Sequence, residues 1–176
     1  MEFSLPHAVT LLRRTPAVLH TLLQDLPEPW INHNEGGSTW SPFDVVGHLL
    51  HGERTDWIPR ARIILEQGEA RPFDPFDRLA QFSESKGKTL AELLDTFTLL
   101  RQQSLATLQQ WQLTEQHLDR RGTHPAFGAV TLRQLLATWV VHDLDHLGQI
   151  ARVLAKQYAH AVGPWIEYLS ILKERP

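Results

Sequence analysis

The segment TLRQLLATWVVHDLDHLGQIARVLAK, residues 131–156, decides the fold class of this chain. Apolar side chains recur in it at intervals of three and four, which is the spacing of one buried face of an α-helix. Two histidines, His142 and His146, take apolar positions on this face. The pattern predicts one long amphipathic helix with a polar pair turned toward the core. The residues of this face are Leu132, Leu135, Trp139, His142, His146, Ile150 and Val153.

The two histidines lie one helical turn apart, so both imidazoles can reach a single point. A buried polar pair costs free energy unless a partner satisfies it, and a metal ion would do so. His48 lies on a second core-facing stripe with Val45 and Leu49. Three imidazoles that leave room for water or substrate are typical of catalytic zinc sites. We predict that His48, His142 and His146 bind a metal; the alternative is that they are core residues with hydrogen-bonded neighbours.

Composition narrows the class of protein. The chain has 176 residues, of which 42% are hydrophobic, and we expect one compact domain over residues 1–176. The net charge of −3 without blocks of like charge argues against nucleic acid or membrane partners. The absence of cysteine excludes disulfides, thiolate ligands and a cysteine nucleophile. With no signal peptide and no apolar run of about 18 residues, we expect a soluble cytoplasmic protein.

The N-terminal part of the chain contains one helical segment and one polar connection. Leucines recur with helical spacing over residues 5–26, and Pro16 occupies one core position. Because proline cannot donate a hydrogen bond to the carbonyl four residues earlier, we expect a kink there or a new helix capped by Thr15. Residues 27–40 are expected to form a loop that ends in Trp40. We expect that tryptophan to pack in the core, with a pocket wall as the alternative.

Two more helices begin with clear capping signals. Residues 41–44, Ser-Pro-Phe-Asp, combine an N-cap serine with proline at the first helical position. The helix that follows is expected to run to about Gln67, with a bend at Pro59. Thr89 opens a capping box and hence the third helix. Arg101 lies on that helix, and we expect its side chain to be in solvent.

The remaining segments predict connections and a short tail. Residues 68–88 and 112–130 contain prolines and glycines without a sustained period, so we expect loops there, the first with a short helical turn near residues 77–82. The first of these is long enough to let the third helix run parallel to the second. No useful β alternation is present, and residues 163–172 predict a short amphipathic helix. The sequence therefore predicts an all-α protein, a four-helix bundle with a short C-terminal helix packed across it.

Several side chains near the histidines are secondary candidates. His51 lies one turn after His48 and toward its flank, which makes it a weak fourth ligand. His124, in a loop before the last helix, could orient a ligand or contact substrate. Three residues of the last helix could orient a ligating imidazole through its second nitrogen, although solvated or capping roles fit equally well. They are Asp143, Asp145 and Gln149.

These motifs resemble the DinB/YfiT-like family of small metal-binding helical bundles. The resemblance is carried by Trp40-Ser41-Pro42 before His48-Leu49, by His142-x-x-x-His146-x-x-Gln149-Ile150, and by Pro125-x-x-Gly128-x-Val130-Thr131-Leu132. It implies an up-down-down-up bundle, often dimeric, with one divalent ion held by the three histidines. The family name reflects induction by DNA damage, not DNA binding. Relatives include metal-dependent transferases that use a low-molecular-weight thiol and a thiol-dependent isomerase, and many members have no known activity.

Three functional hypotheses follow. The first is a thiol transferase that uses Zn²⁺ or Ni²⁺; because the chain lacks cysteine, the thiol must arrive as a co-substrate, and an open metal position would lower its pKa. The second is a hydrolase with water at that position. The third is a metal-binding module without catalysis. The sequence does not separate zinc from nickel, because imidazole suits both metals. We expect a small-molecule substrate and a homodimer.

Overall fold

In the computed structural model, which describes residues 2–173, helices dominate and one small β-hairpin interrupts them. Short 3₁₀ turns cover Gly68–Ala70, Gly163–Tyr168 and Ser170–Leu172. No helix in this part of the chain combines the length and apolar character needed to cross a membrane. The helices and strands are α1 (Leu5–Leu23), α2 (Glu28–Asn32), α3 (Pro42–Thr55), α4 (Trp57–Glu66), α5 (Ala80–Ser85), α6 (Leu90–Gln110), α7 (Glu115–Leu118), β1 (Arg121–His124), β2 (Gly128–Thr131) and α8 (Leu132–Lys156).

Two apolar clusters, one at each end of the bundle, establish the direction of every long helix. Along α1 and α8 the chain passes from the first cluster to the second, whereas along α3–α4 and α6 it passes from the second to the first. Helix α1 packs on α6 and α8, and α3 packs on the same two helices. The bundle therefore has the up-down-down-up order. The first cluster includes Leu12, Trp57, Leu105 and Trp139, and the second includes Leu19, Leu49, Leu94 and Ile150.

Capping boxes open α3, α6 and α8, which confirms the helix starts predicted at residues 41, 89 and 131. Each N-cap hydroxyl accepts a hydrogen bond from the backbone N–H three residues later, and that residue's side chain accepts one from the N-cap backbone. This reciprocal pair satisfies two N–H groups that a helix start leaves open. Helix α8 consequently begins where the sequence places it. The N-cap residues are Ser41, Thr89 and Thr131.

Pro16 does not divide the first helix, and the expected new start at Thr15 is wrong. Helix α1 continues through both residues and ends at Leu23, three residues before the predicted end. The proline leaves the carbonyl of Leu12 without its helical donor. That carbonyl accepts a hydrogen bond of 2.8 Å from Nη1 of Arg101 instead. A side chain from another helix thus replaces the lost backbone hydrogen bond.

The second predicted helix is divided in two, and the break precedes the expected position. Helix α3 ends at Thr55, and α4 begins at Trp57. The residue between them, Asp56, has a ψ of −70° and a φ of −108°. Pro59 is the third residue of α4. Because its nitrogen cannot donate to the carbonyl of Thr55, the hydrogen-bond ladder is interrupted in the turn before the proline.

The expectation of no β structure is wrong for residues 112–130. Strands β1 and β2 form an antiparallel hairpin in which Arg121 pairs with Thr131 and His124 with Gly128. The hairpin packs tightly, because a Cβ at Gly122 would lie 2.7 Å from the side chain of Ile64. The all-α class stands, since these strands only join α7 to α8. The hairpin turn places His124 beside the bundle.

The other short segments also differ from expectation. Residues 27–40 contain α2, and residues 68–88 contain α5, which begins three residues after the turn expected at 77–82. The predicted amphipathic tail helix is instead two 3₁₀ turns, in which Trp165 and Tyr168 are largely exposed. Gly163 has a φ of +53°, a conformation that interrupts regular helix before this tail.

Candidate metal centre

Three histidines from two helices converge at one point inside the bundle. Nε2 of His142 lies 3.1 Å from Nε2 of His48 on α3 and 3.1 Å from Nε2 of His146, one turn further along α8. One ring nitrogen from each of the three lies within 4.8 Å of the others. His48 and His146 are buried, and His142 is partly buried. The structure thus brings together the three residues that the sequence singled out.

Two glutamines fix the orientation of two of these rings. Nδ1 of His48 donates to Oε1 of Gln81 at 2.9 Å, and Nδ1 of His146 donates to Oε1 of Gln149 at 2.8 Å. With the proton on Nδ1, each Nε2 presents its lone pair to the centre. Gln149 therefore has the orienting role suggested as one of its alternatives.

Helix α5 brings Gln81 to the centre, and this contact was not predicted. Helices α3 and α5 approach so closely that a Cβ at Gly47 would lie 2.5 Å from Oγ of Ser85. The same close approach lets Gln81, which is 1% exposed, contact Nδ1 of His48, whereas Nε2 of that ring faces the other two histidines. The surrounding sequence has no helical period, so the sequence gives no signal for this residue.

Burial keeps the three imidazoles neutral. Desolvation lowers the pKa of His48 to about 4 and that of His142 to about 3, and the neighbouring histidines add to both shifts. Burial also lowers the pKa of His146, against the hydrogen bond that this ring donates to Gln149 and the charge of Asp145, which raise it. Neutral imidazole is the form that binds metals.

The arrangement fits a bound cation better than a set of hydrogen bonds. The lone pairs of His48 and His146 both point at Nε2 of His142, and a single N–H there could satisfy only one of them. Nitrogen ligands at zinc distances in a tetrahedral site would be about 3.3 Å apart. The observed 3.1 Å separations are close to that value. The donor set, three neutral nitrogens and no thiolate, suits zinc, nickel or another first-row divalent ion.

A cavity of about 560 Å³ opens onto the three histidines. Its wall is largely aromatic: Trp40 lies 4.8 Å from His48 between ring centroids, and Trp57 lies 5.0 Å from His142. Trp40 is therefore a pocket wall, the less favoured of its two predicted roles. Other residues that line the cavity are Asp56, Arg60, Phe73, Phe76, Arg78, His124, Phe127, Val130, Leu135 and Thr138.

The two secondary histidines lie elsewhere. His51 is buried, and its Nδ1 lies 3.0 Å from Oε1 of Glu84, outside the three-nitrogen cluster. His124 is half-buried and lines the cavity. Its Nδ1 accepts hydrogen bonds from backbone N–H groups of its own turn, so it does not orient a metal ligand. The structure leaves contact with a substrate as its possible role.

Asp143 does not orient an imidazole, and the solvent position expected for Arg101 is wrong. Arg101 is 1% exposed and donates to both oxygens of Asp143, at 2.6 and 3.1 Å. It also donates from Nε to Glu53 at 3.1 Å, and Thr15 donates to Asp143 at 2.6 Å. The burial of Arg101 could have been predicted from the helical periodicity, because Arg101 follows Phe97 by four residues on the buried stripe of α6.

Solved structures share this fold. YfiT from Bacillus subtilis, described as a probable metal-dependent hydrolase with an unusual four-helix bundle topology, matches with a TM-score of 0.76 and 23% identity over 89% of this chain and 90% of its own. A DinB-like protein from the same organism, YjoA, matches with a TM-score of 0.54 and 22% identity over 86% and 92%. A comparison with curated proteins gives no match.

A family model supplies the assignment that these distant structural matches leave open. The model of the DinB superfamily matches residues 11–150, most of the chain. That range contains all three converging histidines and both glutamines that orient them. By sequence as well as by fold, this chain belongs to the DinB superfamily.

Proposed function

We propose that the protein is a metal-dependent enzyme in which His48, His142 and His146 hold one divalent ion, zinc or nickel in the first instance. The observation that carries the proposal is the pair of glutamine-oriented imidazoles whose Nε2 lone pairs face a third Nε2 at 3.1 Å. Three protein ligands leave a coordination position open, as in catalytic zinc sites. The adjoining cavity has room for a small-molecule substrate.

We propose a low-molecular-weight thiol as the nucleophile and an electrophilic small molecule as its target. A divalent ion at this centre would lower the pKa of a thiol so that it ionises near neutral pH. Two pairs of residues prepare the site: Gln81 and Gln149 hold the ligating tautomers, and Trp40 and Trp57 pack against the imidazoles as apolar walls. The chain has no cysteine, so the thiol comes from solution.

The polar lining of the cavity supports thiol over water. Attack by water is usually assisted by a general base that takes its proton. Among the described residues that line the cavity the only carboxylate is Asp56, and its Oδ1 lies 2.5 Å from Nε of Arg60 in an ion pair. A metal also lowers the pKa of bound water, but a thiol is intrinsically more acidic than water, so a metal-bound thiol ionises more readily and depends less on such a base.

Hydrolysis is the second candidate, because YfiT is described as a probable metal-dependent hydrolase. The two reactions differ in their dependence on added thiol. Turnover of an electrophile such as 1-chloro-2,4-dinitrobenzene only with added thiol supports the transferase, and ester or amide cleavage without thiol supports the hydrolase. A protein that binds metal but turns over neither class would be a structural or sensing module.

Elemental analysis of purified protein tests the centre itself. We expect about one zinc or nickel ion per chain in the wild type, and loss of that ion in His48→Ala, His142→Ala and His146→Ala. His160→Ala is the matched control, because His160 is exposed and lies outside the cluster. A full complement of metal in His142→Ala, or none in the wild type after incubation with zinc and nickel, would refute the assignment.

We also propose that the protein forms a homodimer through the outer faces of α1 and α8. These helices pack side by side and carry exposed apolar residues. Exposed apolar surface of this kind often marks an interface between proteins. Light scattering with size-exclusion chromatography should give twice the chain mass of 20.2 kDa for the wild type and the chain mass for Val141→Glu. The exposed residues are Leu11, Val18, Leu22, Val141 and Leu144.

A further inference from the structure

The turn between β1 and β2 holds His124 in one tautomer. Nδ1 of His124 accepts hydrogen bonds from the backbone N–H groups of Ala126 at 3.1 Å and Phe127 at 3.2 Å. A nitrogen that accepts hydrogen bonds carries no proton, so the proton is on Nε2. Among residues 2–173, no side chain or carbonyl accepts a hydrogen bond from that Nε2–H. The ring therefore offers a fixed, unused donor.

Two aromatic rings hold the imidazole of His124 at the wall of the cavity. The ring stacks on Phe127 at 4.4 Å between centroids and meets the edge of Phe73 at 6.0 Å. His124 lines the cavity. Burial and the nearby charge of Arg60 lower the pKa of His124, which keeps the ring neutral.

Arg60 brings a positive charge to the same end of the cavity. Its guanidinium lies over the ring of Phe73, with Cζ 5.3 Å from the centroid. Asp56 pairs with the Nε side, at 2.5 Å. On the other side, Nη2 makes a long contact of 3.4 Å with the backbone carbonyl of Asp74. Among the described residues, the terminal nitrogens thus have only this weak acceptor, in a side chain that is 11% exposed.

The charged residues that line the cavity favour the binding of an anion. Arg60 and Arg78 both line the cavity, and Asp56 is the one carboxylate among the described lining residues. Arg78 acts on His48 through its positive charge. Trp57, Phe73 and Phe127 supply apolar walls, which suit a hydrocarbon body rather than a fully polar ligand.

We propose that the cavity binds a small molecule with an apolar body and a carboxylate end group, and that the His124 Nε2–H and the Arg60 guanidinium bind the carboxylate. Planar guanidinium and carboxylate groups match in geometry, and charged hydrogen bonds of this kind are the strong ones. The inference rests on the proposed function in that it names the substrate class of that site. The His124–Arg60 pair is then a specificity site distinct from the metal ligands.

Two matched probes test this inference without any turnover. Calorimetric titration of metal-free wild type with 4-phenylbutyrate and 4-phenylbutanamide compares the same hydrocarbon with and without the negative charge. We expect the carboxylate to bind about ten times more tightly, the size of effect expected for a hydrogen bond to a charged group. Metal-free protein is used so that the carboxylate cannot bind a metal ion instead.

His124→Asn is the decisive variant. The Asn Oδ1 can still accept the two backbone hydrogen bonds of the turn, but the Nε2–H is lost. We expect an unchanged melting temperature and a preference for the carboxylate reduced to about threefold or less. Arg60→Gln should act in the same direction. Arg62→Gln is its control, because Arg62 is exposed and lies outside this cavity.

Three outcomes would overturn the inference. One is equal affinity of the wild type for the two probes. Another is a preference that survives both His124→Asn and Arg60→Gln. The third is carboxylate binding that needs added zinc and disappears in His142→Ala, since the probe would then bind at the three histidines. None of these results changes the metal content, so failure of this inference and failure of the proposed metal centre are distinguishable.

Discussion

Two polar clusters lie inside the same bundle, and they are completed in opposite ways. In the first, which we call the arginine cluster, Arg101 directs its donors to Glu53, Asp143 and the carbonyl of Leu12. Those acceptors are buried, and every guanidinium nitrogen has a partner. In the second, which we call the histidine centre, glutamines satisfy Nδ1 of His48 and Nδ1 of His146, whereas Nδ1 of His142 is buried without a partner among the described residues. The three Nε2 atoms face one another. The first cluster is closed around its cation, although Oε1 of Glu53 has no partner among the described residues. The second leaves its inner nitrogens unsatisfied.

The difference shows how one pair of helices supports both structure and chemistry. Helix α3 carries His48 and, five residues later, Glu53; helix α8 carries His142 and, next to it, Asp143. The arginine cluster ties α1, α3, α6 and α8 together at this level of the bundle. It thereby fixes the rotation of the helices that present the imidazoles. A rigid support beside an incomplete polar site is the arrangement expected for a binding centre.

Breaking the arginine cluster should have the largest effect. Arg101→Met keeps the length of the side chain but leaves two carboxylates buried without their cation. Removing one partner of a buried ion pair typically costs about 3–5 kcal/mol. We expect a loss of that size in the free energy of unfolding, measured by urea denaturation.

Arg133→Met is the matched control for this variant. Arg133 also bridges two acids, Glu115 at 2.7 Å and Asp119 at 2.8 Å, but these acids are at the surface. Surface ion pairs contribute about 0–1 kcal/mol. If the two substitutions lower the free energy of unfolding equally, the buried ion pairs of Arg101 stabilise the fold no more than the surface ion pairs of Arg133. The structural role assigned to the arginine cluster would then be wrong.

Binding of a metal ion at the histidine centre should have the next largest effect on the free energy of unfolding. A ligand that binds only the folded state at a concentration of 100 times its dissociation constant adds about 2.7 kcal/mol to the free energy of unfolding. We expect zinc or nickel to raise the stability of the wild type by this amount. Arg133→Met should respond equally, and His142→Ala should not respond. Equal stabilisation of His142→Ala would place the metal elsewhere.

The sequence was sufficient for the long helices and for the convergence of the three histidines, because both depend on local periodic signals. Capping boxes at Thr89 and Thr131 determine where α6 and α8 begin, whatever they pack against. The i,i+4 spacing of His142 and His146 and the stripe position of His48 predict that the rings meet. No such local signal exists for the β-hairpin, whose strands have only four residues each.

The sequence was insufficient where one polar residue is satisfied by another far away in the chain. Arg101 is buried because Asp143 and Glu53 meet it, and residues 42 and 48 positions away cannot be paired from one sequence. The same holds for Gln81, 33 positions from His48. Both arginine and acids lie on apolar stripes, however, and complementary charges on buried faces are a usable signal.

The glutamines test whether orientation of the rings matters. We expect Gln81→Leu and Gln149→Leu each to weaken metal binding by about 10–100-fold, the usual effect of removing a group that orients a ligand. Nε2 of Gln81 is buried without a partner among the described residues, so the leucine variant should stay folded. Competition with a chromogenic chelator measures the affinity. Gln116→Leu, at an exposed position, is the control, and equal affinity in all three variants would refute the orienting role.

The smallest effect that we expect is the influence of acid on the free energy of unfolding, through the histidine centre. Burial lowers the pKa of His48 to about 4 and of His142 to about 3, whereas an unfolded chain titrates histidine near about 6.5. Between these values the unfolded state binds protons that the folded state does not. The free energy of unfolding of metal-free protein should therefore fall as the pH is lowered from about 6.5 toward 4, by up to about 1.4 kcal/mol per pH unit for each histidine.

Substitutions can show whether this pH dependence of the free energy of unfolding comes from the histidine centre. His142→Gln removes one of the three histidines whose pKa burial lowers, so the stability of this variant should depend less steeply on pH between 4 and 6, by up to about 1.4 kcal/mol per pH unit. His160→Gln changes an exposed histidine and should leave the wild-type slope intact. Urea denaturation at several pH values measures both. If the stability of His142→Gln changes with pH as steeply as that of the wild type, His142 is hydrated enough to protonate in the folded state. The histidine centre would then differ from the arginine cluster in its access to solvent as well as in its missing partners.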